Sequence, residues 1–172
     1  MTQLKIKNIL LAKRKDYFYI MHLSYNGKRR IELWDFAKEN NVIGLDVPEI
    51  VTDDWLKIRQ SVKRKLTNTW VRQFDIFCTE MQAGDIVIIL NGWDSILGIA
   101  ELTENSYEYD RALSAEHKFF DHIRKVKWLK KFEYHSRLTL STPLQGFNNT
   151  LSKVVPNSTR WSILTSLDIQ VR

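Results

Sequence analysis

The chain has 172 residues and carries 26 lysines and arginines against 20 aspartates and glutamates, a formal charge of +6. Apolar residues at 44% and charged residues at 27% match a globular chain long enough to bury a core, and exclude a disordered polyelectrolyte. The single cysteine excludes an internal disulfide and a cysteine metal quartet, and no apolar run nears the ~18 residues of a membrane span.

Tyr17-Phe-Tyr-Ile-Met-His-Leu is aromatic and β-prone. It runs into Asn26-Gly27, a hairpin-turn signal, so a strand pair is predicted whose second strand carries Arg29, Arg30, Ile31, Leu33 and Trp34. Asp35 to Asn41 is polar and reads as a loop or a short helical turn, and Asn41-Val-Ile-Gly-Leu-Asp then reads as a strand. Thr52 or Asp53 can cap a helix with Trp55, Ile58, Val62 and Leu66 at helical spacing. Asn68 can cap a second, Thr69 to Met81, with Trp70, Phe74, Phe77 and Cys78 along one face.

Ile86-Val-Ile-Ile-Leu and Ser95 to Leu102 are apolar runs on either side of Asn91-Gly-Trp-Asp, which predicts a central hairpin. His122 to Phe132 reads as a strand, with Lys125 and Lys127 alternating against Val126 and Trp128. The tail predicts a loop from Thr142, then a last strand at Leu167-Asp-Ile-Gln-Val. With no repeat or linker, residues 1–172 read as one α+β domain: a curved sheet or half-open barrel of about six strands with helices packed against it.

Walker and dinucleotide glycine loops are absent from the sequence. The four histidines, His22, His117, His122 and His135, lack metal-ligand spacing, so no metal or cofactor is predicted. Asp85 and Glu101, on the central hairpin, are the carboxylates on which an alternative reading as a metal-dependent nuclease would rest.

Among the six tryptophans, Trp70 and Trp128 lie in apolar segments and read as core, whereas Trp34 and Trp93 stand beside a loop and in a turn. A large ring there is either a lid over the core or a stacking surface for a flat ligand. An extruded nucleobase is held between such rings while polar groups read its edge. Tyr107 and Tyr109 are candidates for a further wall, and Asn91 and Asp94 for edge readers. Basic runs containing Lys13, Arg14 and Lys15, Arg29 and Arg30, Lys63, Arg64 and Lys65, and Arg124 and Lys125 are candidates for phosphate contacts. Each run taken singly also fits a solvated face.

In order, Trp34, Val42-Ile-Gly-Leu-Asp, Gly84-Asp-Ile-Val-Ile-Ile-Leu-Asn, Leu97-Gly-Ile-Ala-Glu-Leu and His122-Ile-Arg-Lys-Val-Lys-Trp-Leu form a set. That set resembles the signatures of EVE and YTH domains of the PUA-like superfamily, and most of all the N-terminal domains of McrB-type modification-dependent restriction proteins. The resemblance spans Tyr17 to Phe132, with Gly146 to Val155 similar to a later part of EVE-type domains. It implies a PUA-like fold and a non-enzymatic module, the N-terminal part of a longer cytoplasmic protein. The implied partner is double-stranded DNA with a modified base, flipped into a cage with Trp34 as one wall and Asn91 to Ser95 as rim. An AAA+ GTPase motor on the same polypeptide and a separate nuclease subunit would supply the chemistry. A reader of modified or structured RNA is the alternative within the same fold.

Overall fold

The computed structural model describes residues 18–23, 27–45, 51–110, 121–144 and 150–166. The strand expected from Leu167 onward lies outside the described residues. The chain runs β1 (Phe18–His22), α1 (Gly27–Asn40), β2 (Val42–Leu45), α2 (Trp55–Val62) and α3 (Asn68–Asp75). Then follow β3 (Ile86–Asn91), β4 (Ser95–Leu102), β5 (Glu108–Tyr109), β6 (His122–Lys131), β7 (Leu138–Thr139), β8 (Leu151–Val154) and α4 (Thr159–Ser166).

The strand expected around Leu33 and Trp34 is instead the middle of α1. Leu33, Trp34, Phe36 and Ala37 are all buried. Helical geometry gathers those four positions on one broad face, whereas a strand would split them between two. The operative local signal is the Asn-Asn pair rather than Asn26-Gly27. Asn40 Nδ2 donates to Phe36 O at 2.9 Å, and Asn41 turns the chain out of the helix at φ 54°.

The next two helices match their predicted spacing. Asp54, rather than Thr52 or Asp53, caps α2 by accepting from the Leu56 N–H at 3.0 Å, and Thr67 caps α3 through the Trp70 N–H. Beyond Asp75 the helix widens into a π turn, Ile76–Glu80. Arg59 Nε and Nη2 each donate to the Asp75 carboxylate at 2.7 Å, and Trp55 Nε1 donates to it at 3.1 Å. The Arg59 contact holds that carboxyl below its ordinary value against the opposing effect of burial.

Six strands form one continuous path, β2-β6-β4-β3-β1-β8, with β5 on β6 and β7 on β4. β1 and β3 are parallel and the other pairs are antiparallel. Irregularities between Ile89 and Leu90, and between Ile99 and Ala100, interrupt the register of the central ladders. Such bulges bend and twist strands, in keeping with the curled half-barrel, an α+β fold consistent with a PUA-like curved sheet. Alternation assigns the faces. Tyr19, Met21, Val87 and Ile89 join the core with Trp34, Trp55 and Phe74, whereas Phe18, Ile20, Ile86 and Ile88 join Leu140, Leu144 and Leu164 on the other side. Helices therefore cover both faces. No helix among the described residues is long and apolar enough to cross a membrane.

Candidate nucleic-acid interface

The central hairpin turns at Asn91-Gly-Trp-Asp, where Gly92 takes φ 70°, a left-handed conformation that glycine adopts without strain. Its tip is fastened to the tail: the Leu144 N–H donates to Trp93 O at 2.7 Å and the Leu140 N–H to Asp94 O at 2.6 Å. The backbone of Trp93 is thus fixed while its side chain stays out, with the residue 50% exposed. Ser95 is buried and its hydroxyl donates to Asp94 Oδ1 at 2.8 Å. Asn91 is nearly buried too, and its Oδ1 accepts from Arg30 Nη1 at 2.6 Å.

Positive charge gathers behind this tip. His22 closes β1 beside Leu90, and its backbone N–H donates to Thr150 O at 2.7 Å. Burial pushes the His22 imidazole down to about 4, and the nearby guanidiniums of Arg30 and Arg160 lower it further against the raising effect of a hydrogen bond to the Gly92 backbone. At neutral pH an uncharged imidazole therefore sits within the fields of two arginines brought in by different helices, α1 and α4. Ser158 sets the second of these, its hydroxyl accepting the Trp161 N–H at 3.1 Å.

Two surface cavities share Arg160. One, of about 590 Å³, is lined by Pro143, Leu144, Thr159, Arg160 and Ile163, next to the backbone bond that holds Trp93. The other, of about 440 Å³, lies between α3 and β8, with Arg72, Lys153 and Arg160 on its walls. Both volumes lie within the ~300–1,000 Å³ usual for ligand sites.

Several predicted site residues stand elsewhere. Trp34 is fully buried: its Nε1 donates to Phe132 O at 2.9 Å, and its ring meets Trp128 edge-on at 5.1 Å. The niche beside these rings, walled by Met21, Leu23, Ile43 and Gly44, has a volume of only about 10 Å³. Trp34 is therefore core, not an open cage wall. Tyr107 stacks on the buried His122 and its hydroxyl donates to Asp54, while Tyr109 tilts onto the same imidazole and donates to Thr52 O at 3.1 Å. β5 pairs with the start of β6, beyond Leu102, whereas the hairpin tip pairs with β7 at the other end of β4. The tyrosines therefore cannot share one cage with Asn91, Trp93, Asp94 and Ser95.

Arg124 is a buried structural residue rather than a phosphate contact. It is 1% exposed and donates to four carbonyls, those of Phe77, Met81, Glu104 and Asn105, which fastens the π turn and the loop after β4 to β6. Burial lowers its affinity for a proton, and no phosphate can reach it. Lys125 is engaged by Glu108 at 2.7 Å and Glu104 at 3.7 Å. Lys63, Arg64 and Lys65 form the turn between α2 and α3, shortly before Asn68 and the second cavity. Lys13, Arg14, Lys15 and the Arg29 side chain lie outside the described residues. Asp85, offered for metal chemistry, is buried with its carboxylate on the Gln82 N–H at 2.8 Å, which removes it from a solvent-facing metal site.

His22, Arg72, Lys153 and Arg160 were not singled out from the sequence. Only Ser158-Thr-Arg-Trp carried a usable signal, a helix cap followed by a cation.

The fold and this interface define an α+β domain of PUA-like curvature with an exposed indole beside clustered arginines. Residues 19–153 match the family described as a domain of unknown function (DUF8426), and the chain belongs to that family. None of the curated proteins matches it.

Proposed function

We propose that the chain is a non-enzymatic nucleic-acid-binding module that stacks one base on Trp93 while Arg30 and Arg160 hold the flanking phosphates. The carrying observation is the half-exposed Trp93 ring, anchored through its backbone, next to a cavity that shares Arg160. An indole offers any base a π face, and guanidiniums bind phosphate through paired N–H donors. The resemblance to EVE and YTH domains extends this reading to a modified, flipped base in cytoplasmic duplex DNA. It also suggests delivery of that site to an AAA+ GTPase motor and a nuclease subunit.

Fluorescence anisotropy on labelled duplexes that are unmodified, methylated on adenine or modified on cytosine tests the proposal. Tighter binding of one modified duplex, with affinity falling steeply as salt rises, supports it. Equal or absent binding of all of them, and of matched RNA, defeats it.

A second seat for the base is favoured by Trp128, whose Nε1 is buried and without a partner among the described residues. Buried donors are rarely left so, and the Trp128 ring lines the Trp34 niche. A base could enter there only if the rings moved apart. Trp128→Phe keeps an aromatic ring, though a smaller one, and deletes the donor, so at unchanged urea midpoint a weaker binding of the modified duplex supports a base seated in that niche.

A further inference from the structure

We propose that Trp93 is a wedge for interrupted base stacks: the ligand of the hairpin tip is a duplex in which one base is missing or turned out, and the indole fills the gap. The inference rests on the stacking role proposed for Trp93 and names the class of polynucleotide that the ring takes. The tip projects one flat side chain from a buried base. β3 is buried along its whole length and β4 at all but one position, yet Gly92, Trp93 and Asp94 between them are exposed. A Cβ built on Gly92 would meet nothing within 4 Å, so the flank of the ring on that side of the turn is open. The Leu144 and Leu140 N–H groups clamp the backbone of Trp93 and Asp94, which leaves little backbone freedom to be lost when a ligand arrives.

Among the described residues no other aromatic ring and no cation lies against Trp93. The protein therefore offers one plane and no cage, and the facing plane must come from the ligand. The polar neighbours are engaged: Asn91 Oδ1 accepts from Arg30 at 2.6 Å and Asp94 Oδ1 from the Ser95 hydroxyl at 2.8 Å. That leaves the indole face as the chief contact, and a π face is indifferent to which base it meets. The exposed Asp94 carboxylate repels phosphate, which turns the tip away from the backbone and toward the bases. Opening an intact stack to admit a ring costs about what stacking on that ring returns, whereas a missing base leaves the space already open. An extruded base leaves the same gap.

The probes are two labelled duplexes of the same sequence and ends, one intact and one with a single abasic site, each carrying 2-aminopurine beside that position. Anisotropy gives the affinity of the whole chain, and 2-aminopurine emission reports stacking next to the gap. The parent is expected to bind the abasic duplex about tenfold more tightly than the intact one, or better, since the unstacking step is avoided. The preference is expected to hold whichever base stands opposite the gap. In Trp93→Ala the preference and the change in emission are both expected to vanish, at the urea midpoint of the parent. Equal binding of the two duplexes by the parent overturns the wedge, and this comparison stands whether or not the variant folds. A preference that survives intact in folded Trp93→Ala overturns it too. If Trp93→Ala then weakens both duplexes alike, the ring still stacks on a base and only the gap is wrong. Should it weaken neither, or should the parent bind neither, the stacking role falls as well.

Discussion

Arg30 Nη1 donates to Asn91 Oδ1 at 2.6 Å, joining the first helix to the tip of the central hairpin across 61 residues of sequence. The bond fixes one arm of a guanidinium that lies near His22 and leaves its direction set before any ligand arrives. Asn91→Ala removes the acceptor but keeps the charge. Polynucleotide affinity is expected to drop by ~0.5–1.5 kcal/mol with an unchanged salt slope, whereas Arg30→Ala lowers the slope by about one. Anisotropy over a salt series separates the two.

Arg124 is expected to be a stability residue only. Arg124→Met removes the donor from four carbonyls, in buried contacts at Phe77 and Met81 and part-buried ones at Glu104 and Asn105. A cost of ~3 kcal/mol or more follows, read as a fall in the urea midpoint. Arg124→Lys does not restore it, since an ammonium has three donors and no planar fork. Binding by the folded fraction stays as in the parent.

The His22 imidazole, pushed down to about 4 mainly by burial, makes stability depend on pH. Its folded value lies below the unfolded value of about 6.5, so between these the unfolded chain binds more protons. Stability is complete above about 6.5 and lost as pH falls toward 4, by up to roughly 3 kcal/mol. His22→Gln is expected to flatten that part of the urea-midpoint profile. The slope that remains comes from His122, whose imidazole burial also lowers, and, near pH 4, from Asp75, whose carboxyl Arg59 holds below its ordinary value.

Gly98 lies against the tryptophan pair. A Cβ built there would stand 2.7 Å from Trp34 Cη2, 2.9 Å from Trp128 Cζ3 and 3.2 Å from Lys130 O. Two rigid rings and a backbone carbonyl cannot all give way. Gly98→Ala is expected to destabilise by ~1–3 kcal/mol in urea unfolding, as overpacked cores do.

The elements with long, unambiguous periodicity were legible from residues alone: α2, α3, the β3–β4 hairpin and β6. The curled sheet followed from their number and order. α1 was not, because Asn26-Gly27 is a local turn signal, and the burial of Leu33, Trp34, Phe36 and Ala37 overrode it. The same error moved Trp34 from a strand mouth into the core. For Trp93 the turn was legible but the ring's exposure was not: a lid over the core and a stacking surface stood equally open, and only the fold, which leaves the ring 50% exposed, separates them. His22 and Arg160 were not legible, since nothing local shows that residues 138 apart come together behind one hairpin. Arg124 was misread for a similar reason: four carbonyls from distant segments replaced the water that a basic run normally keeps.

The most direct test of the account is the affinity of Trp93→Ala for the oligonucleotide or duplex that the parent binds best. Trp93 is half exposed and its backbone bonds survive the change, so the urea midpoint is expected to stay put. Loss of one stacked base, worth ~1–3 kcal/mol, predicts a drop of roughly 5- to 150-fold, largely recovered in Trp93→Phe. Equal affinity in the parent and Trp93→Ala would contradict the claim that this ring holds the base.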